Sequence, residues 1–152
     1  MKKDDDRIEA WRRFLVAHAA LIDVLEDELQ AAHGLPLAWY DVLIQLNTTG
    51  GRRRMSELAQ SVLISRSGLT RLIDRMEAAG LVTREQCPND RRGSEAVLTD
   101  DGLAALRKAS PTHLRGIEQH FTRHLSATEV KALTAALGKV IAASARADQT
   151  NC

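Results

Sequence analysis

Every basic residue between positions 52 and 92 is an arginine: Arg52, Arg53, Arg54, Arg66, Arg71, Arg75, Arg84, Arg91 and Arg92. A guanidinium is a planar fork of donors that fits a phosphate or the O6/N7 edge of guanine, and it stays charged. Nine arginines against five carboxylates leave this segment at +4, while the rest of the chain carries −3, for +1 in all. A basic middle between acidic arms suits a local polyanion site better than general adhesion. For any single arginine a solvated surface is the plainer explanation. The group rises above it only through the elements that must carry it.

Those elements follow from spacing. Ser56 is placed to cap a short helix from Glu57 to about Val62. Ser65 caps another over Arg66–Ala79, which Gly80 closes. Leu69, Leu72, Ile73 and Met76 recur at i, i+3, i+4 and i+7 and form its inner face, leaving Ser67, Thr70, Arg71, Asp74 and Arg75 outside. A helix-turn-helix sets its second helix in the major groove, N-terminal residues foremost. Here those are Ser65, Arg66, Ser67, Gly68, Thr70 and Arg71: small side chains that permit close approach, and Arg71 in reach of guanine. Arg75 has three readings: a base contact, a pairing with Asp74 or Glu77, or a buttress for the wing. Leu81–Gln86 and Ser94–Leu98 read as two strands of a hairpin. Between them Cys87-Pro88-Asn89-Asp90 is expected to be irregular, since proline lacks a donor and Asn and Asp favour turns. The long tip that results carries Arg91 and Arg92, suited to a minor groove.

The flanks are helical. Ile8, Trp11, Leu15, His18, Ile22, Leu25 and Leu29 step by three and four, a heptad seam that Phe14 and Leu21 widen. Asp4–Asp6 favour a helix start, and Gly34 and Pro36 end it. At 1.5 Å per residue this helix is roughly 40 Å long, long for one domain, so its stripe is expected to pack on a second subunit. Another helix runs from about Leu37 to Leu46, broken by Gly50-Gly51. Thr99 caps a long helix, with Asp100 and Asp101 in its first turn, that continues through Pro111 to about His124. Ser126-Ala127-Thr128-Glu129 is a capping box with Leu125 and Val130 at the staple positions, opening a last helix. The expected class is mainly α: a winged helix-turn-helix over 36–98, with a three-helix core and a two-stranded β-wing. Long N- and C-terminal dimerisation helices flank it, over 7–34 and 99–147.

Met55-Ser56-Glu57-Leu58-Ala59, the helix Ser67–Ala79, Gly80-Leu81-Val82, the wing Asp90-Arg91-Arg92-Gly93 and Val97-Leu98-Thr99-Asp100-Asp101-Gly102 together resemble the MarR family of winged-helix transcriptional regulators. The resemblance covers nearly the whole chain. It implies a homodimer on a pseudo-palindromic double-stranded DNA operator, and the cysteine usage makes the cytoplasm its expected location. It also implies that Ser67, Thr70 and Arg71 belong to the recognition helix, that Arg91 is the minor-groove arginine of the wing and that Asp90 is the acid holding it. Arg54, with Arg52 and Arg53, then touches phosphates. Members of the family bind small anionic aromatics between the dimerisation helices and the winged helix, so a repressor relieved by such an effector is expected. Candidates for that site are Trp11, Arg12 and His18, then Trp39, Tyr40 and Asp41, and Arg84. Trp11, Asp41 and Arg84 resemble a urate-responsive branch, but Leu72 stands where that branch carries arginine.

Other classes fare worse. At 44% apolar and 27% charged residues the chain is too apolar for a disordered one. No apolar run approaches about 18 residues, so no membrane span is expected. The N-terminus, Met1-Lys2-Lys3-Asp4-Asp5-Asp6, does not read as a secretory signal. Cys87 and Cys152 lie far apart with no Cys-x-x-Cys pair, which argues against a disulfide framework or a cysteine zinc knuckle and for a reducing compartment. No nucleophile elbow, phosphate loop or His-Glu-x-x-His is present, so neither catalysis nor a cofactor is expected. His120 and His124 sit at i, i+4 with His113 a stripe earlier, a spacing able to chelate zinc. That site lacks evident further ligands, and exposed histidines are the plainer account. Oxidation of Cys87 at the wing's base could displace the wing. Peroxide-sensing members of the family, however, resemble one another in an N-terminal-helix cysteine that residues 1–34 lack. Trp11 and Trp39 suit a core, and His18 a dimer seam. The alternatives are a metal- or redox-responsive regulator of the same fold, or a helical adaptor that binds protein through its seams.

Overall fold

Leu43, Leu46, Leu58, Leu69, Ile73 and Met76 are sealed from solvent, and the elements that carry them form the centre of the molecule. The computed structural model describes residues 2–62 and 66–149, with side chains over 5–62, 67–90 and 92–144. In order these are α1 (Lys2–His33), α2 (Leu37–Thr48), β1 (Arg52–Arg54), α3 (Met55–Ser61), α4 (Arg66–Ala78), β2 (Val82–Cys87), β3 (Asp90–Leu98) and α5 (Asp100–His120). A 3₁₀ turn (Thr122–His124) and α6 (Ala127–Gln149) follow. The fold is mainly helical with a small antiparallel sheet, a winged helix. Two compact units divide the chain, Met1–Leu114 and Arg115–Cys152.

The expected inner face of α4 is the observed one: Leu69, Leu72, Ile73 and Met76 are all buried. Burying each such side chain contributes about 1.5–3 kcal/mol, so the 3.6-residue period dictates how α4 is rolled. Its outer face, with Thr70, Arg71, Asp74 and Arg75, is exposed.

The sheet departs from expectation. It has three strands, not two, in the order β1-β3-β2. Gly50 (φ 81°) and Gly51 (φ 87°) turn the chain out of α2, a conformation that side-chain-bearing residues resist. Gly51 then donates to the Leu46 carbonyl (2.8 Å) and accepts from the Leu98 amide (2.7 Å). This delivers Arg52–Arg54 to the edge of β3, paired as Arg52↔Val97, Arg53↔Ala96 and Arg54↔Glu95. Three consecutive arginines carry no alternating apolar signal, so spacing gave no hint of a strand. β1 also leads straight into α3: Arg54 takes the N-cap position with no side-chain cap, and Ser56 lies inside the helix. The expected capping role of Ser56 is therefore corrected.

The wing is longer and tighter than expected. β2 runs to Cys87 and β3 begins at Asp90, with a register shift at Gln86/Cys87. Only Pro88 and Asn89 make the turn, so the long irregular tip expected from Cys87 onward is corrected too. Arg91 and Arg92 sit on β3 itself. Between the Gln86↔Ser94 and Cys87↔Asp90 pairs, Arg91, Arg92 and Gly93 have no partner in the register and bulge from β3.

The seam of α1 divides in two. Leu25 and Leu29 are buried, while Ile8, Trp11, Phe14, Leu15 and Ile22 are 41–56% exposed. Glu26 caps α2 from a distance, its carboxylate accepting the Leu37 amide at 2.7 Å, since Pro36 has no side chain to do so. α5 ends at His120, not at His124, and gives way to the 3₁₀ turn. The Ser126 box is present: Ser126 N–H donates to Glu129 (2.8 Å) and Glu129 N–H to Ser126 Oγ (3.2 Å). These bonds hold the Glu129 carboxyl below its usual pKa.

Candidate nucleic-acid interface

A cleft of about 390 Å³ opens where β1, α3, α4 and the wing meet. Arg54, Ser56, Thr70, Asp90, Arg92 and Ser94 are its polar lining. Four of these, Arg54, Thr70, Asp90 and Arg92, are candidates read from sequence, and they come from three separate elements, β1, α4 and β3. Asp90 accepts the Arg92 amide at 3.0 Å, so its carboxylate shapes the turn into β3. A side chain on Gly93 would crowd Cys87 Sγ (3.0 Å) and Asp90 Oδ2 (3.3 Å). The buried Cys87 thus packs under the wing.

Ser67, Thr70, Arg71 and Arg75 lie on the exposed outer face of α4. Arg66 is the first residue of α4 and Arg91 the second of β3, their side chains lying outside the described set; Ser65 lies outside the described residues altogether. Among the described residues, no carboxylate is ion-paired with Arg54, Arg71, Arg75 or Arg92. The α4 helix thus presents small hydroxyls and the guanidinium heads of Arg71 and Arg75 on one surface, and Arg54 and Arg92 line the cleft.

The other arginines are engaged. Arg52 bonds Glu85 (2.6 Å) and approaches Glu95 (3.6 Å), two carboxylates that face each other across β2 and β3. Arg53 reaches Gln45 (3.2 Å) and Glu57 (3.9 Å). Arg84 pairs with Asp74 and lies 3.7 Å from Glu77, while its backbone N–H donates to Glu77 at 2.8 Å. The partners once considered for Arg75 therefore belong to Arg84. Residues one or two apart on a helix do not face each other, which leaves both carboxylates to the neighbouring strand. Sequence reasoning missed this clamp, as it missed the share of Met55, Ser56, Gly93 and Ser94 in the cleft.

The effector candidates fall into three places. On α1, Trp11 stacks with Phe14 (6.1 Å), which meets His18 (6.3 Å), and Arg12 is exposed beside them. On α2, Trp39 is half-buried, and burial plus the Glu26 charge raises the Asp41 pKa although the residue keeps solvent contact. Arg84 belongs to the clamp. Among the described residues, no hydrogen bond, ion pair or ring contact joins the three groups. Tyr40 has a neighbourhood of its own: its hydroxyl meets Ser110 (3.2 Å) and its ring meets His113 (4.4 Å). Burial lowers the His113 pKa. His33 bonds Thr112 at 2.8 Å, and the Nδ1 atoms of His33 and His113 are buried with no hydrogen-bond partner among the described residues.

The zinc spacing is lost. His120 ends α5, and His124 lies in the 3₁₀ turn with its ring on the Gln119 carbonyl (3.1 Å), so the two do not share one helix face. Among the described residues, no three His, Cys, Asp or Glu side chains cluster to hold a metal. No described helix is long and apolar enough to cross a membrane.

Similarity to known proteins decides the family. A sequence model of the MarR family matches residues 33–93. An uncharacterised HTH-type transcriptional regulator of Bacillus cereus is 33% identical over 130 residues, 86% of this chain and 85% of that protein. The chain belongs to the MarR family. Among solved members, AbsC of Streptomyces coelicolor superposes with a TM-score of 0.85 at 41% identity, over 94% of this chain and 96% of its own. Sco3205 of the same organism, solved in complex with DNA, gives 0.84 at 35% identity over 90% and 86%. As a MarR-family protein the chain is a DNA-binding transcriptional regulator and not an enzyme.

Proposed function

We propose that the protein is a homodimeric, cytoplasmic repressor that grips a pseudo-palindromic operator and is released by a small anionic aromatic effector. In this reading residues 36–98 bind DNA, and 7–34 with 99–147 form the dimer. The observation that carries it is the convergence of Arg54, Thr70, Asp90 and Arg92 on one cleft, with Arg71 and Arg75 exposed on the same helix as Thr70 and without an ion pair among the described residues. Ser65, Arg66, Ser67, Thr70 and Arg71 enter the major groove, Arg75 follows on the same helix, and Arg91, positioned by Asp90, enters the minor groove. Arg54 and Arg92 take phosphates. The bare apolar stripe of α1 supports a partner copy, since an exposed run of Trp11, Phe14 and Leu15 is costly in a free monomer. The effector belongs where α1, α2 and α5 supply aromatic rings and the unsatisfied imidazole nitrogens of His33 and His113.

A mobility shift with the duplex upstream of the protein's own gene tests the reading, with scrambled duplex as control and urate and phenolic carboxylates as challengers. Specific binding reversed by one challenger supports it. A shift that no challenger moves removes the effector clause. No shift at low salt, where phosphate contacts are strongest, overturns DNA recognition by this surface and favours the adaptor alternative.

A further inference from the structure

We infer that Arg84 is a positioning residue for DNA recognition: by holding Asp74 it keeps the arginines of the outer face of α4 available to the duplex. The inference rests on the reading of that face as the recognition surface.

Asp74 is the one carboxylate amid the α4 outer-face residues Ser67, Thr70, Arg71 and Arg75. It stands three residues beyond Arg71 and four beyond Thr70, spacings at which helix side chains are neighbours. Left alone, it acts twice in the same sense. It draws the Arg71 guanidinium back along the helix, and it repels the phosphates that the same face must approach. Arg84 comes from β2, the edge strand opposite β1 in the sheet, and meets Asp74 with Nη2, with Glu77 at 3.7 Å. Arg71 is left with no ion pair among the described residues.

A second contact separates this role from a merely structural one. Glu77 accepts the Arg84 backbone N–H at 2.8 Å, and that bond ties β2 to α4 whatever side chain residue 84 carries. The guanidinium is a third exposed and Asp74 half exposed, a setting in which an ion pair adds little to stability. Truncating Arg84 therefore leaves the wing attached and frees the Asp74 charge.

The test uses the full chain and a duplex enriched by the wild type from a random pool, with affinity read by fluorescence anisotropy across a salt series. Arg84→Ala is expected to weaken binding roughly five- to tenfold with its melting temperature nearly unchanged. Arg84→Lys retains most of the affinity. Asp74→Asn binds at least as tightly as wild type, and Arg84→Ala with Asp74→Asn returns to within about twofold of it. Wild-type affinity in Arg84→Ala overturns the inference. So does a double variant as weak as Arg84→Ala, because Arg84 would then act on the duplex or on the wing and not through Asp74. If the wild type enriches no duplex, DNA recognition by this surface fails first and the inference falls with it.

Discussion

Gly102 lies against the carbonyl oxygen of Leu81: a β-carbon built on it would stand 2.1 Å from that oxygen and 2.9 Å from Leu98 Cδ1. Around this contact the Thr99 hydroxyl donates to the Gly80 carbonyl (2.7 Å) and accepts the Gly102 amide (3.0 Å), while the Thr99 amide donates to Leu81 (3.2 Å). One threonine thus caps α5 and ties it to the end of α4. The Leu-Thr-x-x-Gly spacing read from sequence is the spacing this joint requires.

Gly102→Ala should accordingly destabilise the fold by about 1–3 kcal/mol, because the methyl group meets backbone and not a flexible side-chain end. Urea unfolding followed by circular dichroism measures it. An unchanged midpoint would show that the joint has slack.

Arg52 offsets a repulsion within the sheet. Glu85 and Glu95 are cross-strand partners, and like charges so placed are unfavourable. Arg52→Ala is expected to lower stability by about 0.5–1 kcal/mol at low salt and by less at high salt. Adding Glu85→Gln should recover most of the loss. If Arg52→Ala is neutral at low salt, the bridge contributes nothing.

His113 makes stability depend on pH. Burial lowers its pKa below the ordinary 6.5, so the folded chain binds fewer protons than the unfolded chain as the pH falls through that value. Its neutral form favours folding above the unfolded-state value, and that contribution is lost as the pH drops toward the folded-state value. The denaturation midpoint of the wild type should fall between about pH 7 and pH 5, and His113→Phe should flatten that slope. Equal slopes in the two proteins would remove His113 as the cause.

The proposed dimer is best probed on the bare half of the seam. Leu25 is buried within the protomer, so charging it damages the protomer first. Leu15 is 44% exposed, and Leu15→Glu should leave helix content nearly intact while halving the mass seen by light scattering. A variant that keeps the wild-type mass would exclude this stripe as the interface.

Sequence alone determined what is periodic or local. The inner face of α4, the Ser126–Glu129 box, the start of α2 and the Thr99 cap all depend on residues within about one or two turns of each other, and steps of three and four encode them directly. The arginine-rich middle was legible for the same reason, since composition needs no coordinates. Only the tertiary structure decided which arginines are free. Arg52 and Arg84 differ from Arg54, Arg71 and Arg75 in no local pattern; they differ in which carboxylates the sheet and α4 bring beside them. Arg84 reaches Asp74 across ten positions, and Arg52 reaches Glu85 across thirty-three. Such pairings exist once β1 has joined β3 and the wing has folded back on α4, and side-chain reach in space, not spacing along the chain, selects the partner.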